Sequence, residues 1–155
     1  MTKLILMVGI PASGKSTYIK THATPKDKVI SRDNIRFDMV PDGSPYFEKE
    51  KEVFNEYVRQ AQEAIDAGTY NRIFLDATHL NEKSRNKILD RLDLKNITLE
   101  AVYFDLPAKV VSARNNKRIG RYRVPEETMQ QMADRLTCPS ADKKYDYKVI
   151  KVVTQ

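Results

Sequence analysis

Cys138 is the only cysteine in the 155-residue chain, so neither an intrachain disulfide nor a multi-cysteine metal site can form. Cysteine usage this sparse suits a reducing compartment, and a cytoplasmic location is expected. No apolar run approaches the roughly 18 residues that span a bilayer. The apolar stretch near the N-terminus is too short for a signal-peptide core, so no membrane partner is expected. The sequence also lacks internal repeats, low-complexity segments and any linker that would divide it. A single domain over residues 1–155 is therefore expected. What is present is a globular composition, with 41% hydrophobic and 31% charged residues, which excludes an intrinsically disordered chain. A net charge of +6 and a pI near 9.3 point toward a polyanionic partner, either nucleic acid or nucleotide phosphates.

The strongest local signal is Gly9-Ile10-Pro11-Ala12-Ser13-Gly14-Lys15-Ser16-Thr17. It follows Leu4-Ile5-Leu6-Met7-Val8, an unbroken apolar run that reads as a buried strand, and it precedes a helical pattern. In that context G-x-x-x-x-G-K-S fits a phosphate-binding loop. Glycines let backbone N–H groups close round a phosphate without a Cβ in the way, and the helix N-terminus adds partial positive charge. Lys15 is expected to reach the β- and γ-phosphates of ATP, and the Ser16 hydroxyl to ligate Mg²⁺. The candidate ATP-binding set is Gly9, Pro11, Ala12, Ser13, Gly14, Lys15, Ser16 and Thr17, joined by Arg114 and Arg118.

Downstream, strands are predicted over residues 28–31, 72–76, 97–104 and 148–153. Helices are predicted over 47–67, from an Asn81 cap to about Leu92, over 108–117, and from Pro125 through Met129, Met132 and Leu136. Gly68 closes the long helix, and residues 141–147 read as a polar surface connection. This alternation defines an α/β fold, a parallel sheet with helices on both faces.

Several charged side chains fall where such sheets bind ligands, beyond the C-terminal ends of strands. Asp33 follows the second strand and is a candidate to orient an acceptor hydroxyl and take its proton; a helix cap is the other role open to it. Arg36, three residues on, shares its face if the stretch is helical, and its planar fork suits an acceptor-side phosphate. Asp76 ends the third strand and is a candidate for the metal, through water or by orienting neighbours; a turn cap is its structural alternative. Arg114 and Arg118 are neighbours at i, i+4 before a glycine-containing basic loop that resembles a mobile lid over about residues 114–126. They are candidates to neutralise donor phosphates, though charged surface helices are ordinary. His79 is expected to make a local hydrogen bond, and Cys138, Met129 and Met132 to be structural.

Taken in order, these segments resemble the kinase domain of the phage-type 5′-polynucleotide kinases over nearly the whole chain. The likeness rests on the phosphate loop, on Ser31-Arg32-Asp33-Asn34-Ile35-Arg36 and on Asp76-Ala77-Thr78-His79-Leu80-Asn81. It continues through Phe104-Asp105-Leu106-Pro107 and Arg114-Asn115-Asn116-Lys117-Arg118, then Val124-Pro125. The resemblance implies a P-loop kinase fold with a five-stranded parallel sheet in the order 2-3-1-4-5 and a helical lid. It implies that Asp33 is the general base on a 5′-hydroxyl, that Arg36 binds the acceptor's 3′-phosphate, and that Arg118 is the lid arginine assisted by Arg114. The implied activity is Mg²⁺- and ATP-dependent phosphorylation of 5′-OH ends of RNA or DNA, with Lys15, Asp33 and Arg118 catalytic and Ser16 and Asp76 at the metal. The residues themselves leave open a P-loop kinase acting on a small metabolite hydroxyl, or a nucleotide-dependent switch without a phosphoryl acceptor. Many such kinases carry a phosphatase or ligase domain, so those activities are expected on separate partner proteins here. His79 stands where close relatives often have asparagine.

Overall fold

Strand β1, Thr2–Val8, is buried at every position from Leu4 onward, the mark of a strand covered on both faces. The computed structural model describes residues 1–45 and 47–153. In it β1 lies at the centre of a five-stranded sheet, between β3 (Arg72–Asp76) and β4 (Ile97–Phe104). β2 (Lys28–Ser31) flanks β3 and β5 (Lys148–Val152) flanks β4, giving the order 2-3-1-4-5 with every pair parallel. Parallel neighbours need crossovers, and the helices supply them. These are α1 (Lys15–His22), α2 (Arg32–Met39), α3 (Glu50–Ala67), α4 (Glu82–Leu89), α5 (Ala108–Asn116) and α6 (Glu126–Arg135).

Alternate β1 side chains serve opposite faces, as pleating requires. Leu4, Leu6 and Val8 pack with Val53, Tyr57 and Ala61 of α3 and with Ile88 and Leu89 of α4. Ile5 and Met7 pack with Phe74, Val102, Phe104 and Ile19 of α1. A third cluster of Ile10, Ala12, Val111 and Met129 seats the loop after β1 against α5 and α6.

Local chemistry sets the helix boundaries. Ser31 caps α2 by accepting from the Asn34 N–H at 3.2 Å, and Asn81 and Ser84 form a reciprocal capping box on α4. Gly68 ends α3 with φ of 66°, a left-handed turn that suits glycine. Four expectations shift. The long helix starts at Glu50 rather than residue 47, since Phe47–Lys49 form a turn. α4 stops at Leu89, although Leu92 is still buried beyond it, and Leu136 lies just past the end of α6. The loop after α5 contains a 3₁₀ turn, Gly120–Tyr122.

The stretch 141–147 is not merely a surface connection. Asp142, 3% exposed at its side chain, accepts two bonds of 2.7 Å from the fully buried guanidinium of Arg85. Arg85 also donates to the carbonyls of His79 and Thr137, which fastens α4 to the chain before β5. Removing one partner of such a buried pair costs about 3–5 kcal/mol. In the sequence alone, ionic residues in a polar stretch such as 141–147 read as solvated.

Candidate active site

The turn after β1 wraps tightly because Gly9 has no side chain. A Cβ there would meet Ser13 Oγ at 2.6 Å and Phe104 Cβ at 3.1 Å. Ala12 and Gly14 both take positive φ, 68° and 101°, and Gly9 N–H donates to the Thr78 carbonyl at 3.0 Å. Among the described residues no side-chain hydrogen bond caps the N-terminus of α1, and a helix start of this kind has N–H groups to offer an anion. Ser13 Oγ is buried with no hydrogen-bond partner among the described residues. Lys15 is buried too, its Nζ donating to the carbonyls of Gly9 at 2.9 Å and Ile10 at 2.8 Å. Burial pulls its pKa down to about 8, against the opposing charges of Asp76 and Asp33, while Arg118 lowers it further.

Asp76, at the tip of β3, accepts a 2.8 Å hydrogen bond from the Ser16 hydroxyl. Asn81, not Asp76, caps α4. Burial raises the Asp76 pKa, with Lys15 and Ser16 opposing. No cluster of three or more His, Cys, Asp or Glu side chains able to hold a metal occurs among the described residues. Two oxygens from Ser16 and Asp76 instead suit Mg²⁺, which keeps waters and substrate phosphates in its remaining positions.

Asp33 sits in the first turn of α2, with Ser31 as the cap, so the carboxylate does not cap the helix. Its side chain is 59% exposed, ion-paired with Arg36 Nη1, and its charge reaches both Lys15 and Asp76. Arg36 is buried. Besides Asp33 it donates from Nη2 to Glu50 Oε1 at 2.7 Å and from Nε to Glu50 Oε2 at 3.2 Å. Glu50 also accepts from Arg32 Nη2 at 2.6 Å. Burial works to raise the Glu50 pKa, but these two arginines outweigh it and hold the carboxyl below its usual range. Glu50 was missed from sequence. It lies 14 residues beyond Arg36, across a loop, where no helical spacing links them.

Arg114 and Arg118 come together beside the loop. With Ala12, Gly14 and Thr17 they line a cleft of about 270 Å³. Arg118 Nη1 donates to the Tyr122 carbonyl at 3.3 Å. From the same 3₁₀ turn, Arg121 Nη1 donates to Val40 O at 2.9 Å and its guanidinium covers the Phe37 ring at 4.1 Å. Segment 117–125 therefore touches helix α2 and its C-terminal end. A larger cavity, about 430 Å³ between Met1, Gly68, Tyr70 and Asn96, lies at the opposite edge of the sheet and holds none of these groups.

His79 is buried with φ of 42°, and burial drives its pKa down to about 3, so the ring is neutral. Nδ1–H then donates to the Met7 carbonyl at 2.6 Å, and Nε2 accepts from Tyr57 O–H at 3.1 Å. The expected local bond thus reaches the end of β1 and the middle of α3.

A glycine-lined turn that a Cβ would fill, an unpartnered buried hydroxyl and a lysine holding only backbone carbonyls fit a bound nucleotide polyphosphate. With the 2-3-1-4-5 sheet they define a P-loop kinase fold. The chain belongs to the AAA domain family AAA_33, whose model matches residues 4–139. No curated protein matches it. Among solved structures it is similar to a sugar kinase from Janibacter sp. HTCC2649, with 19% identity over 99% of this chain and 86% of that one and a TM-score of 0.68. It is similar to a chain of the Pnkp1/Rnl/Hen1 RNA repair complex, with 23% identity, a TM-score of 0.68 and 95% of this chain covered. There it spans only 47% of the other chain, about half its length. A gluconokinase from Sinorhizobium meliloti 1021 is 13% identical over 97% of this chain and 82% of that one, with a TM-score of 0.60. At these identities the likeness carries the fold. No helix among the described residues is long and apolar enough to cross a membrane.

Proposed function

We propose that the protein transfers the γ-phosphate of ATP to the 5′-hydroxyl end of RNA or DNA, as one domain with a lid over about residues 114–126. The observation that carries this is Asp33, an exposed carboxylate at the tip of β2 whose charge reaches Lys15 and which is paired to Arg36. Asp33 accepts the proton of the acceptor O–H as that oxygen bonds to the γ-phosphorus and the bond to ADP breaks. Lys15 and Arg118, with Arg114 beside it, neutralise negative charge on the transferring group and on ADP. Ser16 and Asp76 would hold Mg²⁺, which would supply Lewis-acid withdrawal of charge from the donor phosphates. Arg36, kept rigid by Glu50, presents the acceptor's 3′-phosphate to Asp33, exchanging part of its pairing with Asp33 for the anion.

A second function has specific support. The sugar kinase and the gluconokinase match over most of their own length, which favours a small hydroxylated metabolite as acceptor. A panel of acceptors with labelled γ-phosphate separates the two: 5′-OH oligoribonucleotide, 5′-OH oligodeoxyribonucleotide, 3′-mononucleotide, nucleoside and gluconate. Label on the oligonucleotides and the 3′-mononucleotide supports the polynucleotide acceptor. Label confined to nucleoside or gluconate contradicts it.

A further inference from the structure

Three cations crowd one aromatic ring beside the candidate acceptor site. Arg32 Cζ lies 5.3 Å, Lys87 Nζ 4.6 Å and Arg91 Cζ 5.8 Å from the Phe54 ring centroid. The ring face attracts each cation, but three like charges around one buried phenyl repel one another. The nearby acids are committed elsewhere. Glu50 holds Arg32 and Arg36, Asp90 accepts from Tyr145 at 2.6 Å and pairs with Lys144 at 2.8 Å, and Glu82 accepts from the Lys143 and Lys144 amides. The exposed side chains of Lys87 and Arg91 make no hydrogen bond or ion pair among the described residues, and Arg32 Nε is buried without a partner. Lys83, one turn before Lys87 on α4, extends the row toward the edge of the sheet that carries the loop. Arg32 directly precedes Asp33, so the cations lead away from the candidate base along the seam between α3 and α4.

We infer that Arg32, Lys87 and Arg91 form a phosphate track for the acceptor strand, taking phosphodiester groups of a single-stranded polynucleotide beyond its reactive 5′ end. This rests on the polynucleotide acceptor proposed above. It deepens that assignment, because a mononucleotide ends at Arg36 and cannot reach α4. Backbone phosphates supply the counter-charge that Lys87 and Arg91 lack, and add to the Glu50 carboxylate that Arg32 shares with Arg36, without any sequence preference.

The test compares wild type with the Lys87→Ala/Arg91→Ala double variant and with a Lys20→Ala/Lys26→Ala control of equal charge on the other side of the sheet. Affinity for a fluorescent 5′-OH oligonucleotide of about 12 nucleotides is followed by anisotropy over a salt series, and phosphorylation is measured on that oligonucleotide and on a 3′-mononucleotide. The track predicts that the double variant weakens oligonucleotide binding about tenfold or more near 0.1 M salt, and lowers the slope of log Kd on log salt by about 1.4. The KM for the 3′-mononucleotide stays at the wild-type value, and the control changes neither. Wild-type oligonucleotide affinity in the double variant overturns the track, as does equal weakening in the control or an equal change for the mononucleotide. A wild-type enzyme that phosphorylates neither acceptor overturns the proposed function instead.

Discussion

The Ser16 hydroxyl donates to Asp76 Oδ2 at 2.8 Å, joining the first turn of α1 to the tip of the neighbouring strand β3. Two hard oxygens from separate elements are thereby held side by side where an octahedral cation with its own waters can take both. Substituting either one, Ser16→Ala or Asp76→Asn, is expected to raise the half-saturating Mg²⁺ concentration for phosphoryl transfer by about 10–100-fold. Metal titrations of the initial rate measure this. Unchanged Mg²⁺ dependence in both variants removes the pair from the metal.

Lys15 carries a pH prediction. Its pKa of about 8 in the free protein lies below that of an ordinary lysine because the ammonium is buried. A bound polyphosphate favours the charged form, so nucleotide binding above pH 8 takes up a proton. ATP affinity should fall toward tenfold per pH unit above that point until the pKa in the complex is reached. Calorimetry at pH 9 in buffers of different ionisation heat should register net proton uptake. Affinity flat from pH 7 to 9.5 contradicts a Lys15–phosphate contact. For the free fold the sign is that stability rises with pH between about 8 and 10.5, since the unfolded chain holds the Lys15 proton longer.

Glu50 is expected to act through Arg36. Glu50→Ala leaves a nearly buried guanidinium with Asp33 as its remaining acidic partner, and the liberated fork can turn. The acceptor KM should rise about tenfold while the Kd for ATP stays put, with a stability loss of about 1–3 kcal/mol. Glu50→Gln, which keeps the shape and an accepting oxygen, should recover part of the KM. Equal losses in donor and acceptor affinity would mean that Glu50 serves only the fold.

His79 makes the fold sensitive to mild acid. Buried and neutral down to about pH 3, it binds fewer protons than the unfolded chain at any pH between about 3 and 6.5. Stability therefore falls as pH drops through that window, by up to ~1.4 kcal/mol per unit. The urea midpoint of wild type should decline from pH 7 to pH 5, and that of His79→Gln should decline less. Parallel declines contradict the assignment.

Sequence patterns revealed most of the frame because the decisive residues there act over short range. The apolar run of β1, the caps at Asn81 and Gly68 and the G-x-x-x-x-G-K-S loop each work within a turn or two of chain. Strand order has no such local signature, and 2-3-1-4-5 followed only from family resemblance. Asp33, Arg36 and Asp76 stood out as charges at strand ends. Glu50 and Asp142 did not, because Glu50 meets Arg36 across a loop and Asp142 meets Arg85 from 57 residues away, and each looks solvated until the fold closes. His79 was expected to bond locally, but burial carries its ring to Met7 and Tyr57.

Single-turnover transfer of labelled γ-phosphate to a 5′-OH oligonucleotide by the Asp33→Asn variant addresses the central claim most directly, that the carboxylate at the tip of β2 and the phosphate loop act on one phosphoryl group. The variant should lose about 10²–10⁴-fold in the transfer rate while binding ATP as wild type does. A rate within a few-fold of wild type, with ATP affinity unchanged, would contradict it.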